Sequence, residues 1–297
     1  MSLWVTWISE CTPLPIRLQL SAPADSWTIQ ASLTGNWGKG DRIENGPGYD
    51  LTNYSAMVAL YRRYDALRLG GAISLGRTKV EWENRAESES NDLSGFLFAR
   101  MDNQNWFVSL ETFFGRSQVE STRFPGQGLV AMADYKVTWV GASLMAGKLF
   151  DLNGLRLTPR LGASFSRMRF GGFTESGAGT LNLGVASAGV NSLELETGVL
   201  IAKELQIGEK LVTPYLNLGL GYETMDERLL LETRFANQPG IPTFLSESPD
   251  AGALRGIVEV GVMFDFSDFG NFTFNYKGSF RDRDRVHSAS LGYNYSW

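Results

Sequence analysis

Apolar and polar residues alternate along this chain with a period of two. Trp27, Ile29, Ala31, Leu33, Gly35 and Trp37 hold one parity of the first such stretch; Thr28, Gln30, Ser32, Thr34 and Asn36 hold the other. Successive side chains of a strand point to opposite faces, so this stretch predicts a strand with one apolar and one polar surface. Leu67, Leu69, Gly71, Ile73 and Leu75 are set against Arg68, Gly70, Ala72 and Ser74 in the same way. Near the end, Phe272, Phe274, Tyr276, Gly278 and Phe280 oppose Thr273, Asn275, Lys277 and Ser279. Twelve segments follow this rule: 27–37, 52–62, 67–77, 91–101, 105–115, 134–147, 155–168, 192–203, 211–223, 254–266, 271–281 and 286–297. Segments 91–101 and 134–147 are partly apolar on both faces. No helix-period stretch of useful length competes.

The connectors alternate too. Long ones (38–51, 78–90, 116–133, 169–191 and 224–253) follow every odd segment up to the ninth, and short ones follow the even segments. The link from Asp282 to Arg285 is short although its position predicts a long one. Short turns at one end and long loops at the other, with an even number of antiparallel strands, match a barrel of the bacterial outer membrane. A closed barrel satisfies every backbone polar group by pairing, which hydrocarbon demands. A soluble sandwich also alternates, but it gives no reason for the loop asymmetry. The predicted fold is therefore all-β, a twelve-stranded antiparallel transmembrane β-barrel over 27–297, preceded by a linker or plug segment at 1–26. A monomeric barrel in contact with outer-membrane lipid is expected.

On this reading the parity opposite the apolar stripe faces a lumen. It carries Arg68, Glu111, Arg160, Glu194, Glu196, Glu259 and Lys277. Such charges either brace the wall by pairing or line a hydrated path, and both can hold together. Trp106, Tyr135, Trp139, Tyr215 and Tyr222 are candidates for interfacial aromatic girdles. The chain closes on Tyr293, Tyr295 and Trp297, an aromatic at every second position. These read either as an ordinary last strand or as the terminal signal for the barrel assembly machinery.

Composition removes much chemistry. One cysteine, Cys11, excludes an internal disulfide and a Cys-rich zinc site. One histidine, His287, excludes any site needing two. A net charge of −5 with no long basic run makes nucleic acid a poor partner. No cofactor or metal is implied, and Gly177-Ala178-Gly179 is not followed by the Lys-Ser/Thr of a phosphate loop. The apolar stretch 137–147 is about half the ~20 residues of a spanning helix. The start of the chain lacks the basic region of a signal peptide.

Particular residues resemble a known family. Thr158-Pro159-Arg160-Leu161-Gly162, then 172–179 (GFTESGAG) and Leu181-Asn182-Leu183, look like the middle of an autotransporter β-domain. SLELETGVLIAKEL, VTPYLNLGLGYE and the ending NYKGSFRDRDRVHSASLGYNYSW continue the likeness. The resemblance implies a type V secretion translocator: a twelve-stranded outer-membrane barrel through which an N-terminal passenger reaches the cell surface, often with a helical linker in the pore. The fused passenger is absent from this chain, so the resemblance implies a translocator domain alone. Pro13, Pro15 and Pro23 argue against one long helix over 1–26. No Asn precedes Asn36, so the Asn-dependent self-cleavage of one subfamily has no matching residue.

Two rival functions are kept. One is a porin-like diffusion channel without passenger. The other is a barrel hydrolase using His287, oriented by Asp282 or Asp284; the plainer reading of His287 is a rim residue beside a charged turn, since no nucleophile is marked. Loop 224–253, with Leu229-Leu230-Leu231 and Phe235, reads equally as a disordered surface loop or as a hairpin assisting passenger exit.

Overall fold

The computed structural model describes residues 25–42, 47–84, 86–208, 210–225, 228–248, 252–266 and 270–297. The expected linker or plug at 1–26 lies outside them apart from its last two residues. In chain order the strands are β1 (Trp27–Gly40), β2 (Tyr49–Tyr64), β3 (Leu67–Trp82), β4 (Glu87–Asn103), β5 (Trp106–Gly126) and β6 (Leu129–Lys148). Then come β7 (Phe150–Leu152), β8 (Leu155–Phe170), β9 (Phe173–Thr174), β10 (Leu183–Val185), β11 (Ala188–Lys203) and β12 (Leu205–Ile207). The last six are β13 (Lys210–Glu223), β14 (Leu230–Phe235), β15 (Phe244–Glu247), β16 (Leu254–Asp265), β17 (Asn271–Phe280) and β18 (Asp284–Ser296).

Twelve of these form the wall, each antiparallel to the one before it: β1 to β6, β8, β11, β13, β16, β17 and β18. The ring closes where β18 pairs with β1 along Thr28↔Ser296 to Gly40↔Asp284. Trp27 and Trp297 finish the seam with reciprocal backbone hydrogen bonds of 3.0 Å. Each wall strand is paired with a neighbour on both sides, which is the condition for standing in hydrocarbon. β7 and β12 prolong two hairpins at the end that carries the chain termini. The β7–β8 turn places Asn153 (φ 55°) and Gly154 (φ 83°) in the left-handed region, the geometry a two-residue hairpin loop requires.

Burial follows the parity read from the sequence. On β1 the odd positions face out, with Leu33 61% exposed, while Thr28, Gln30, Ser32 and Asn36 are buried. Ile73, Leu97 and Leu161 extend the outward apolar belt around the wall.

The strands run further than the alternation predicts. Connectors 78–90 and 116–133 are largely paired strand, and β5 and β6 keep their ladder up to a tight turn at Gln127-Gly128. Beyond the hydrocarbon both faces tolerate polar residues, so the period fades while backbone pairing continues. Connectors 169–191 and 224–253 are not plain loops either. They supply β9, β10, β14 and β15, which join into a four-stranded sheet in the order β15-β14-β10-β9. The hairpin β14–β15 is the hairpin alternative for loop 224–253.

Candidate functional site

The interior of the barrel is the candidate site. Glu111, Arg160, Glu194, Glu196, Glu259 and Lys277 line one cavity with a water-accessible volume of about 210 Å³, room for on the order of ten waters. Arg68 lies below that cavity at the end bearing the termini; it is buried and 3.6 Å from Asp102. Arg100 shares the same carboxylate at 2.8 Å.

The charges are bound into networks rather than left single. Glu194 on β11 receives Nη2 of Arg255, from β16, and Nη2 of Arg281 at 3.1 Å, just past β17. Arg160 Nη2 donates to Glu196 Oε1 at 3.2 Å, joining β8 to β11. Glu259 accepts from Tyr215 Oη at 3.2 Å and from the amides of Asn217 and Asn275 at 3.1 Å each. Lys277 stands directly opposite Glu259 in the β16–β17 ladder. A second chain of hydrogen bonds crosses six strands. Ser288 donates to Asn36 (2.5 Å), Asn36 to Asn53 (2.8 Å), Asn53 to Thr78 (2.9 Å) and Thr78 to Asp92 (2.7 Å). Ser117 closes it by donating to Asp92 from β5. Inside a membrane protein, ionisable groups kept at depth pair with each other or with water, as these do.

Sequence reasoning passed over Arg255, Arg281, Asp92 and Arg100. Arg255 shares the inward parity of Glu259, and Arg281 continues that of Lys277, so parity alone marks both. Asp92 and Arg100 were hidden because β4 carries Phe96 and Phe98 on the same inner face.

Three girdle expectations fail. Tyr135, Trp139 and Tyr215 point inward, Trp139 and Tyr215 being 5% exposed. Trp139 covers Gly115 across the ladder, and Phe113 covers Gly141 two pairs away; a Cβ at either glycine would collide with the facing ring. Tyr215 likewise covers Gly261 and reaches Glu259. These aromatics fill the space that glycine leaves, while β6 carries apolar residues on both faces and so gave no parity contrast. Trp106 and Tyr222 do face outward.

Part of the inner surface is apolar. Met57, Ala72, Phe96, Phe113, Val137 and Met168 belong to one buried cluster that also takes Leu229 from the long loop. Leu229 and Ser248 exchange hydrogen bonds of 2.9 Å, which ties the base of the β14–β15 hairpin over the outer mouth.

His287 faces out. Its Nδ1 is 2.7 Å from Tyr276 Oη and its ring stacks at 6.1 Å on Trp37. The supposed Asp partners are elsewhere. Asp284 points inward and accepts from Tyr49 Oη at 2.6 Å, and Asp282 lies against Gly252. The outward parity of His287 separates it from inward Asp284, so the Asp–His pair is not formed. Among the described residues no group of three His, Cys, Asp or Glu side chains is placed to hold a metal ion. Tyr295 and Trp297 stack at 6.1 Å on the outer face, and Tyr293 leans on Phe272 at 4.8 Å.

The family model described as autotransporter beta-domain matches residues 29–277. The chain belongs to the autotransporter β-domain family. Autotransporter β-domains are outer-membrane translocator barrels of Gram-negative bacteria, and this barrel is one of them. Its fold is similar to the translocator domain of autotransporter NalP from Neisseria meningitidis, with a TM-score of 0.76 at 14% identity over 93% of this chain and 90% of that one. It is similar to the β-domain of the Bordetella autotransporter BrkA, with a TM-score of 0.69 at 18% identity over 92% and 100% of the two chains. The transport unit of AIDA-I from Escherichia coli gives a TM-score of 0.61 at 11% identity over 100% and 97%. At these identities the likeness is one of fold. No curated protein matches this chain.

Proposed function

We propose that the lumen is the hydrated path for an N-terminal passenger, and that Arg68, Glu111, Arg160, Glu194, Glu196, Glu259 and Lys277 both brace and line it. The observation that carries this reading is the pairing of an apolar outer wall with a charged, water-accessible cavity inside a closed autotransporter β-domain. Transport is passive: the polar wall solvates the moving chain, and passenger folding outside biases its direction. No residue is assigned a catalytic role.

Residues 1–26 act as linker or plug in that lumen. Tyr293, Tyr295 and Trp297 present the last strand to the barrel assembly machinery, and the barrel works as a monomer. Cys11, the chain's single cysteine, offers a direct probe of the first point. In the Ser164→Cys variant, whose side chain faces the cavity, Cys11 should form a disulfide under mild oxidation. In Leu161→Cys, which faces lipid, it should not; the opposite pattern would place the segment outside the pore.

Transport itself is tested by fusing a folding reporter ahead of residue 1 and probing intact cells with protease. The reporter should be digested from outside while the barrel persists, and His287→Ala should leave this unchanged. A folded barrel with the reporter held in the periplasm would refute the translocator reading.

A further inference from the structure

Cations on the outward parity of β1 to β3 and β18, just above the apolar belt, have carboxylate partners. Lys39 pairs with Asp50 at 3.0 Å, Arg77 with Glu89 at 2.6 Å and Arg285 with Asp41 at 3.2 Å. One sector differs. On β5, β6 and β8, Arg116, Lys136, Arg167 and Arg169 are all exposed on the outward parity. Among the described residues none of the four has an ion-pair partner.

Register gathers them. Arg116 lies opposite Thr138, and Thr138 lies opposite Arg169. Arg167 lies opposite Val140 on β6, and Lys136 opposite Gln118 on β5. Strands are ~4.8 Å apart and alternate residues ~7 Å apart along a strand, so the four charges share a patch about 10 Å wide and about 14 Å long. Phe114 and Val140, exposed at 53% and 54%, lie one step below Arg116 and Arg169 and level with Arg167, and Phe165, exposed at 42%, lies one step below Arg167. Above, Glu120 faces Asp134, which bounds the patch on the side away from the membrane. The sector is therefore an unneutralised basic ledge resting on an apolar wall.

We propose that this ledge binds the phosphorylated head group of an outer-leaflet glycolipid. The guanidinium groups suit phosphate because their planar forks donate two parallel hydrogen bonds to its oxygens. The acyl chains of the same molecule then lie on Phe114, Val140 and Phe165. A phosphate on the lipid supplies the counter-charge that the protein provides for Lys39, Arg77 and Arg285 but not for these.

The test compares diphosphoryl lipid A with the same lipid after removal of its phosphates, bound to the folded full chain in detergent and read by native mass spectrometry. The phosphorylated lipid should bind more tightly by about tenfold or more. Inorganic phosphate at millimolar concentration should not displace it. Changing Arg116, Lys136, Arg167 and Arg169 together to Gln should abolish the preference, while changing Lys39, Arg77 and Arg285 to Gln should leave it. Equal binding of the two lipids by the unmodified chain would overturn the proposal whether or not the variants fold. So would displacement by inorganic phosphate, or equal loss in the two sets of variants.

Discussion

The two halves of the inner wall are built on different physics. From β13 through β18 to β1 the inward side chains are mainly polar, and Glu259, with Glu194 on neighbouring β11, gathers amides, hydroxyls and guanidinium groups from several strands. From β2 to β8 the same parity carries Met57, Phe96, Phe113, Trp139 and Met168, packed as a core. The outer faces of both halves are alike, because both meet hydrocarbon. The lesson is that lipid imposes one solution on the outside of a barrel, whereas the inside can be satisfied by packing or by hydrogen bonding. The two solutions respond differently to substitution. A packed wall fails by cavity formation; a polar network fails when one member is removed and its buried partners lose their counter-charge.

Trp139→Ala should have the largest effect, since it empties the space above Gly115 in the packed half. A loss of about 3–5 kcal/mol is expected in denaturant unfolding of the detergent-folded barrel. A change near zero would show that the packed half is not a core at all.

Glu194→Ala comes next. It leaves Arg255 and Arg281 facing each other without their shared carboxylate. The loss should be about 3 kcal/mol, the low end for a broken buried pair, because Glu194 borders the hydrated cavity. Replacing all three by apolar residues of similar size should recover most of that loss; failure to recover would mean the network does more than hold itself together.

The smallest effect belongs to a rim pair outside both halves. Arg42 Nε at 2.7 Å and the Gly48 N–H at 3.2 Å hold the exposed Glu83 carboxyl below the usual carboxylate range. A depressed carboxylate stabilises the fold above its unfolded pKa and loses that contribution as pH falls through its folded value. Acidification should therefore release this link late and leave the barrel intact. Carboxyl NMR of Glu83 checks it: a midpoint at or above the ordinary value contradicts the assignment.

Legibility followed the same division. Each of the twelve wall strands overlaps one of the alternating segments, and alternation marks the outward stripe of β1, β3 and β17 residue by residue. Where one face is polar, as around Arg68, Glu259 and Lys277, parity also placed the inward side chains. Where both faces are apolar, as on β6, it could not tell Trp139 inside from Val140 outside. The sheet over the mouth was hidden for another reason. Its four strands are two to six residues long and come from connectors far apart in sequence, so none carries a full period of its own.

The order of residues alone thus set the strand count, the antiparallel path and which face meets lipid, because a period of two and one external solvent suffice for that. Which inward groups meet was settled only by closure. Glu194 finds Arg255 and Arg281, and Leu229 finds the wall below the mouth, across separations along the chain that no local pattern spans. Those contacts depend on the stagger between strands and on the curvature of the ring. Both are properties of the closed wall, and neither belongs to any single strand.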